Sequence, residues 1–224
     1  MTYIKQTIAI LGIVGVLTGI PTVANARESQ IRQNTSNDQQ NYNQGVQKLK
    51  QGNLNGAIEN FTQVVQQNPR FYEGYCLRGL AKSHLGKFQS AIQDFDKALK
   101  INPRHADAYN SRGIVNASLG NVSAAVSDFN QTVKLEPKFV DAYYNRGLIN
   151  YQQGNNKAAV TDFNQALKYN PKLANAYGSR GLANYALGNK RVAVTDLQQA
   201  AKLFRQQGNT QGYQLSIGIL NQLK

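Results

Sequence analysis

From residue 38 onward the apolar positions fall into two kinds of helical stripe that alternate along the chain. The first kind is Tyr75, Gly79 and Leu80, then Tyr109, Gly113 and Ile114, then Tyr143, Gly147 and Leu148. The second is Ala91, Ile92, Phe95, Ala98 and Leu99, then Ala125, Val126, Phe129 and Val133, then Ala159, Val160, Phe163, Ala166 and Leu167. Spacings of three and four place each set on one face of a helix. The pattern therefore predicts helix A followed by helix B, repeated.

Punctuation between the stripes has the same period. Pro69, Pro103, Pro137 and Pro171 stand 34 residues apart, as do Gly52, Gly86, Gly120, Gly154 and Gly188. A glycine just past helix A suits a left-handed turn, and a proline ends helix B by forcing its predecessor out of the helical region. A further series, Gly45, Gly79, Gly113, Gly147 and Gly181, lies inside helix A. One such hairpin cannot bury its own apolar face, so neighbours must stack to share a core.

On these residues the chain resembles the tetratricopeptide repeat family. Tyr75, Gly79, Ala91, Phe95, Ala98 and Pro103 fall on the family pattern, and the next two units repeat it through Tyr109/Tyr143, Gly113/Gly147, Ala125/Ala159, Phe129/Phe163 and Pro137/Pro171. The resemblance implies an all-α, right-handed α-solenoid of stacked helix-turn-helix repeats, with units near 38–71, 72–105, 106–139, 140–173 and 174–207. It also implies a scaffold or assembly role. Arg78, Arg112, Arg146 and Arg180 replace the usual Leu, and Lys82, Asn116, Asn150 and Asn184 the usual Tyr, marking a subtype. The last unit has Leu197 for Phe, and residues 209–223 are expected to form a capping helix with a polar outer face.

Ahead of the array, Lys5, the apolar run from Thr7 to Ile20, Pro21 and Ala24-Asn25-Ala26 have the order of a secretory signal peptide, residues 1–26, cleaved after Ala26. The run is short for a spanning helix and carries three glycines, which disfavours an uncleaved anchor. The mature protein is expected in the periplasm, a lumen or outside the cell. Half of residues 27–44 are Gln or Asn, so 27–40 is expected to be a flexible linker into the solenoid at 41–224.

Charge changes the picture in two ways. The formal net charge of +13 invites a nucleic-acid reading, which export argues against. Arg78, Arg112, Arg146 and Arg180 each precede Asp94, Asp128, Asp162 and Asp196 by 16 residues, which predicts a ladder of ion pairs between helices A and B. Lys100, Lys134, Lys168 and Lys202 end the B helices and Arg70, Arg104, Lys138 and Lys172 follow the prolines, answering the negative end of the helix dipole. The same rows could present a basic edge to an anionic membrane surface or polyanion.

The inner face of helix A is the candidate partner site. Its stripe takes Glu73 and Cys76 in the second unit, Asp107 and Asn110 in the third, Asp141, Tyr144 and Tyr151 in the fourth, and Asn175 and Tyr185 in the fifth. Tyrosines with amide or small neighbours suit an extended peptide, so Tyr144, Tyr151 and Tyr185 lead the candidates. The acids also stabilise first helical turns, and Tyr75, Tyr109, Tyr143 and Tyr177, repeated in every unit, are expected in the core. Some relatives clamp a C-terminal carboxylate with Lys, Asn and Arg. Tyr42, Val46, Leu77, Asp107 and Ser111 stand here instead.

Catalysis has no support in the residues. His84 and His105 lack a second ligand at metal spacing, and Cys76 lacks a base. The glycines belong to the repeat, not to a phosphate loop. No cofactor, metal or nucleic acid is expected, and the expected partner is a protein or peptide.

Overall fold

Every element of the structure, a computed structural model that describes residues 30–223, is a helix or the turn between two helices. The signal-peptide reading of residues 1–26 lies outside the described residues. So do residues 27–29 of the expected linker.

The described residues fall into two compact units, up to Leu119 and from Gly120. The first holds α1 (Gln30–Lys50), α2 (Leu54–Gln67), α3 (Tyr72–His84), α4 (Phe88–Ile101) and α5 (Ala106–Ser118). The second holds α6 (Val122–Leu135), α7 (Val140–Gln152), α8 (Asn156–Tyr169), α9 (Ala174–Ala186), α10 (Lys190–Gln206) and α11 (Thr210–Gln222). Within each unit successive helices pack on one another as hairpins, the arrangement the repeat pattern predicts.

The turns form for the expected reasons. Gly52, Gly86, Gly120, Gly154 and Gly188 have φ between 71° and 81°, the left-handed region that ends helix A. At the second of them the Lys87 N–H donates back to Lys82 O at 2.9 Å, closing the helix end. Asparagines just before three of the prolines add a contact absent from the periodic pattern. Asn68, Asn102 and Asn170 each accept, through Oδ1, the backbone N–H two residues on, at 3.1–3.2 Å, which fixes the turn into the next hairpin.

Each B helix contributes one large buried side chain to the core. Phe61, Phe95, Phe129 and Phe163 are fully buried and Leu197 takes their place in the fifth unit. Opposite them the glycines inside helix A let two backbones approach. A Cβ at Gly45 or Gly147 would stand 2.8 Å from the Phe61 or Phe163 ring. Glycine is needed there for space, because these residues are ordinary helix.

One expectation needs correction. Residues 30–40 are helical rather than open linker, since α1 begins at Gln30. The stretch has no Pro or Gly to break a helix. The capping helix α11 exists, and its exposed residues are polar, Gln211, Gln214, Asn221 and Gln222 among them, with Leu215 the exception. Ser216 is its buried residue, while Leu215 is 59 % exposed and Tyr213, Ile217, Ile219 and Leu220 are only half-buried.

Candidate functional site

The inner face of the A helices is set by the pairing that turns their other face toward helix B. In the first unit Arg78 on α3 donates from Nε and Nη2 to Asp94 on α4 at 2.9 and 2.6 Å. Its Nη1 reaches Thr62 on α2 at 3.2 Å, and its plane lies over the Tyr75 ring. Arg146 and Arg180 repeat this with Asp162 and Asp196 on one side and Asn130 and Asn164 on the other. Arg112 reaches Asp96 at 2.5 Å and lies over Tyr109. Arg78, Arg146 and Arg180 therefore tie their own hairpins to the preceding helix, and Arg112 likewise reaches back to α4, which the paired-charge reading alone did not foresee.

The positions read as subtype departures join the same network. Lys82 Nζ stands 2.7 Å from Asp94 Oδ2, and Asn150 Nδ2 donates to Asp162 Oδ2 at 3.0 Å. Lying four residues after the arginine, each reaches the same carboxylate, and that spacing was the signal available. Tyr75 is buried and Tyr109, Tyr143 and Tyr177 are half-buried, each ring carrying a stacked guanidinium.

In the first unit the inner stripe brings Glu73, Cys76, Asp107 and Asn110 of α3 and α5 together. Cys76 and Asn110 are buried, and Glu73 and Asp107 are half-buried. Burial, then the charges of Asp107 and Glu73, push the Cys76 thiol up to about 12. A thiol held protonated in this way is a poor nucleophile. Burial also raises the Asp107 carboxyl above its usual range, and His105 Nδ1 stands 3.8 Å from it. Asn110 Oδ1 has no hydrogen-bond partner among the described residues. The accessible chemistry of this face is thus acidic, with Tyr42 stacked edge-on against Phe71 beside it.

In the second unit the stripe is aromatic. Tyr144 of α7 packs beside Phe163 and in the cluster that includes Ala176 and Tyr177 of α9, which joins the two inner helices. Leu148 and Tyr151 continue this surface over Ala159, Phe163 and Ala183. Asp141 and Asn175 are half-buried at the helix starts, and Tyr185 is 41 % exposed at the far end. Burial raises the Asp141 carboxyl. Tyr144 and Tyr151, half-buried, and Tyr185, exposed, therefore form a surface able to take apolar contacts and offer hydroxyls to a peptide.

Tetratricopeptide repeats are found in the middle of the chain: models of that repeat match residues 72–105, 117–154 and 147–188. Proteins built of such repeats are protein–protein interaction scaffolds, and that is the class the fold and this surface define. The crystal structure of a MamA protein is similar at 23% identity, over 79% of this chain and 96% of that one, with a TM-score of 0.68. MamA 41-end from Desulfovibrio magneticus RS-1 is 22% identical over 76% and 97%, with a TM-score of 0.69. YrrB, described as a TPR protein with an unusual peptide-binding site, is 18% identical over 84% and 95%, with a TM-score of 0.66. At these identities the likeness is one of fold. None of the curated proteins matches the chain.

Proposed function

We propose that this protein is an exported scaffold or assembly factor that holds a segment of a partner polypeptide along the inner face of its A helices. The observation that carries the reading is the tyrosine surface of α7 and α9, where Tyr144 packs beside Phe163 and half-buried Tyr151 leads on to exposed Tyr185. Repeated residues such as Arg146 and Phe163 are committed to packing; the residues that vary from unit to unit at the inner stripe are free to select a partner. Glu73, Asp107 and Asp141 add negative charge to that stripe, which favours a segment carrying Lys or Arg.

Crosslinked pull-down from the exported fraction tests it, with Tyr151→Ala as the control. Loss of the captured partner with the Tyr151→Ala protein supports the groove; unchanged capture removes it. The export half is tested by sequencing the N-terminus of the mature protein, which should begin at Arg27.

A second reading rests on a separate observation: Lys100, Lys134, Lys168 and Lys202 are all exposed. Under it an anionic membrane surface or polyanion is bound through the B-helix ends. Lys134→Glu with Lys168→Glu would then abolish binding to anionic liposomes, and salt would weaken it steeply.

A further inference from the structure

Helix α11 repeats the first helix of a further hairpin. Tyr213, Ser216, Ile217 and Leu220 have the spacing of Tyr177, Arg180, Gly181 and Asn184. The packing agrees with the spacing. Tyr213 joins Tyr177, Ala174, Ala200 and Leu203 just as Tyr177 joins Tyr143, Val140 and Ala166 one repeat earlier. Gly212, in the register of Ala176, lies against Phe204 of α10.

In the fifth unit the face of α9 that carries Arg180 and Gly181 is covered by α10, through Asp196 and Leu197. On α11 the equivalent face carries Ile217 and Leu220. Instead of meeting a second helix among the described residues, it opens into a cleft of about 570 Å³ shared with Ala201, Lys202 and Arg205 of α10. Tyr213 forms part of the same floor. The cleft is therefore shaped as the seat of a helix, with an apolar floor and one basic wall.

Charge selects the occupant. Between Lys190 and Gln222 the exposed charges are Lys190, Arg191, Lys202 and Arg205, all basic. The single acid in that span, Asp196, is buried and held by Arg180. A second copy would bring the same basic wall from a chain of net charge +13. We propose that the cleft between α10 and α11 docks an amphipathic helix of a partner protein whose apolar stripe covers Ile217 and Leu220 and whose acidic flank faces Lys202 and Arg205. Ser216 stands where the second to fifth repeats have arginine, so the docking helix does not need the buried Asp that helix B supplies there. This surface is separate from the tyrosine groove and stands without it.

The probe is a fluorescent peptide of about 18 residues, five helical turns, with Leu and Ala at helical spacing and Glu along one flank, compared with a twin carrying Lys in place of Glu. Fluorescence anisotropy with the full chain should give at least about tenfold tighter binding of the Glu peptide. Ile217→Asp should weaken that binding by about tenfold or more, and Lys202→Glu with Arg205→Glu should reverse the preference between the twins. Both basic residues are exposed, so the reversal does not depend on a change of fold. Tyr144→Ala with Tyr151→Ala should leave the Glu peptide bound, which separates this cleft from the groove. Equal affinity for the twins, indifference to the double reversal, or a concentration-dependent dimer dissolved by Ile217→Asp would overturn the proposal.

Discussion

Arg146 holds Asp162 with two donors, Nε at 3.0 Å from Oδ2 and Nη2 at 2.6 Å from Oδ1, and uses its remaining nitrogen on Asn130 at 2.6 Å. Asp162 is 4 % exposed, so its charge has little water to fall back on. Removing the guanidinium leaves that carboxylate with Asn150 as its remaining partner. Arg146→Ala should therefore destabilise by about 3 kcal/mol, the scale for breaking one side of a buried pair. Urea unfolding of the single variants and of Arg146→Ala with Asp162→Ala checks it, and the double variant should cost less than the two singles summed.

The hairpin of α1 and α2 performs the same task without charge. Gln44 stands in the register of the arginines and Asn60 in that of the aspartates, and Asn60 Nδ2 donates to Gln44 Oε1 at 3.2 Å. Asn60 Oδ1 is buried with no partner among the described residues. Converting both residues to the pair used elsewhere, Gln44→Arg with Asn60→Asp, should raise the melting temperature. Asn60→Asp alone should lower it, because an unpaired carboxylate would then sit at a buried site. If the double variant melts no higher than Asn60→Asp, the charged pair is not what stabilises the later units.

Gly147 and Gly154 are both glycines of the repeat, yet they are needed for different reasons. A Cβ on Gly147 would sit 2.8 Å from the Phe163 ring, whereas Gly154 has φ +77° and open space around it. Gly147→Ala should cost about 1–3 kcal/mol through overpacking. Gly154→Ala should cost about 1–2 kcal/mol through backbone strain. Shrinking the ring separates them: Phe163→Leu should relieve Gly147→Ala and leave Gly154→Ala unchanged. Equilibrium unfolding of the four proteins reads the difference, and equal rescue of both would contradict the assignment.

The repeat, its hairpins and its left-handed turns were readable because each is carried by a residue whose role is local. Proline 34 residues from proline and glycine from glycine need no knowledge of the neighbours. The pairs Arg78–Asp94, Arg146–Asp162 and Arg180–Asp196 were readable too, since both ends recur at one spacing. The backward contact of each arginine was not, because its partner changes chemistry: Thr62, Asp96, Asn130 and Asn164 share only a position and an oxygen. Lys82 and Asn150 were legible as departures but not as donors to the same carboxylate. At the site, the inner stripe located the tyrosines; how far each is covered depended on tertiary contacts such as Tyr144 with Phe163. Cys76 and Asn110 met the spacing rule and are nonetheless buried. The apolar residues of α11 suggested a helix that closes the array, but whether they face inward depends on what packs against them.

Asp141 lies in the first turn of α7, where the helix dipole favours a negative charge, but burial outweighs it and raises the carboxyl above its ordinary value of 3.8. A carboxyl whose folded-state pKa is raised contributes stability that is fully present below the unfolded value and is lost as pH rises through the folded one. Asp141 therefore stabilises the fold only when protonated, and at neutral pH its charge is a cost. Asp141→Asn, uncharged throughout, should melt higher than the natural protein at about pH 7, and the gap should close as pH falls toward about 4. Thermal unfolding across that range measures it. A variant that melts lower at neutral pH would mean that the dipole dominates and that the acid is there for the helix; a variant that melts higher leaves Asp141 as a residue held at the inner face at a cost in stability, as expected of a group that meets a partner.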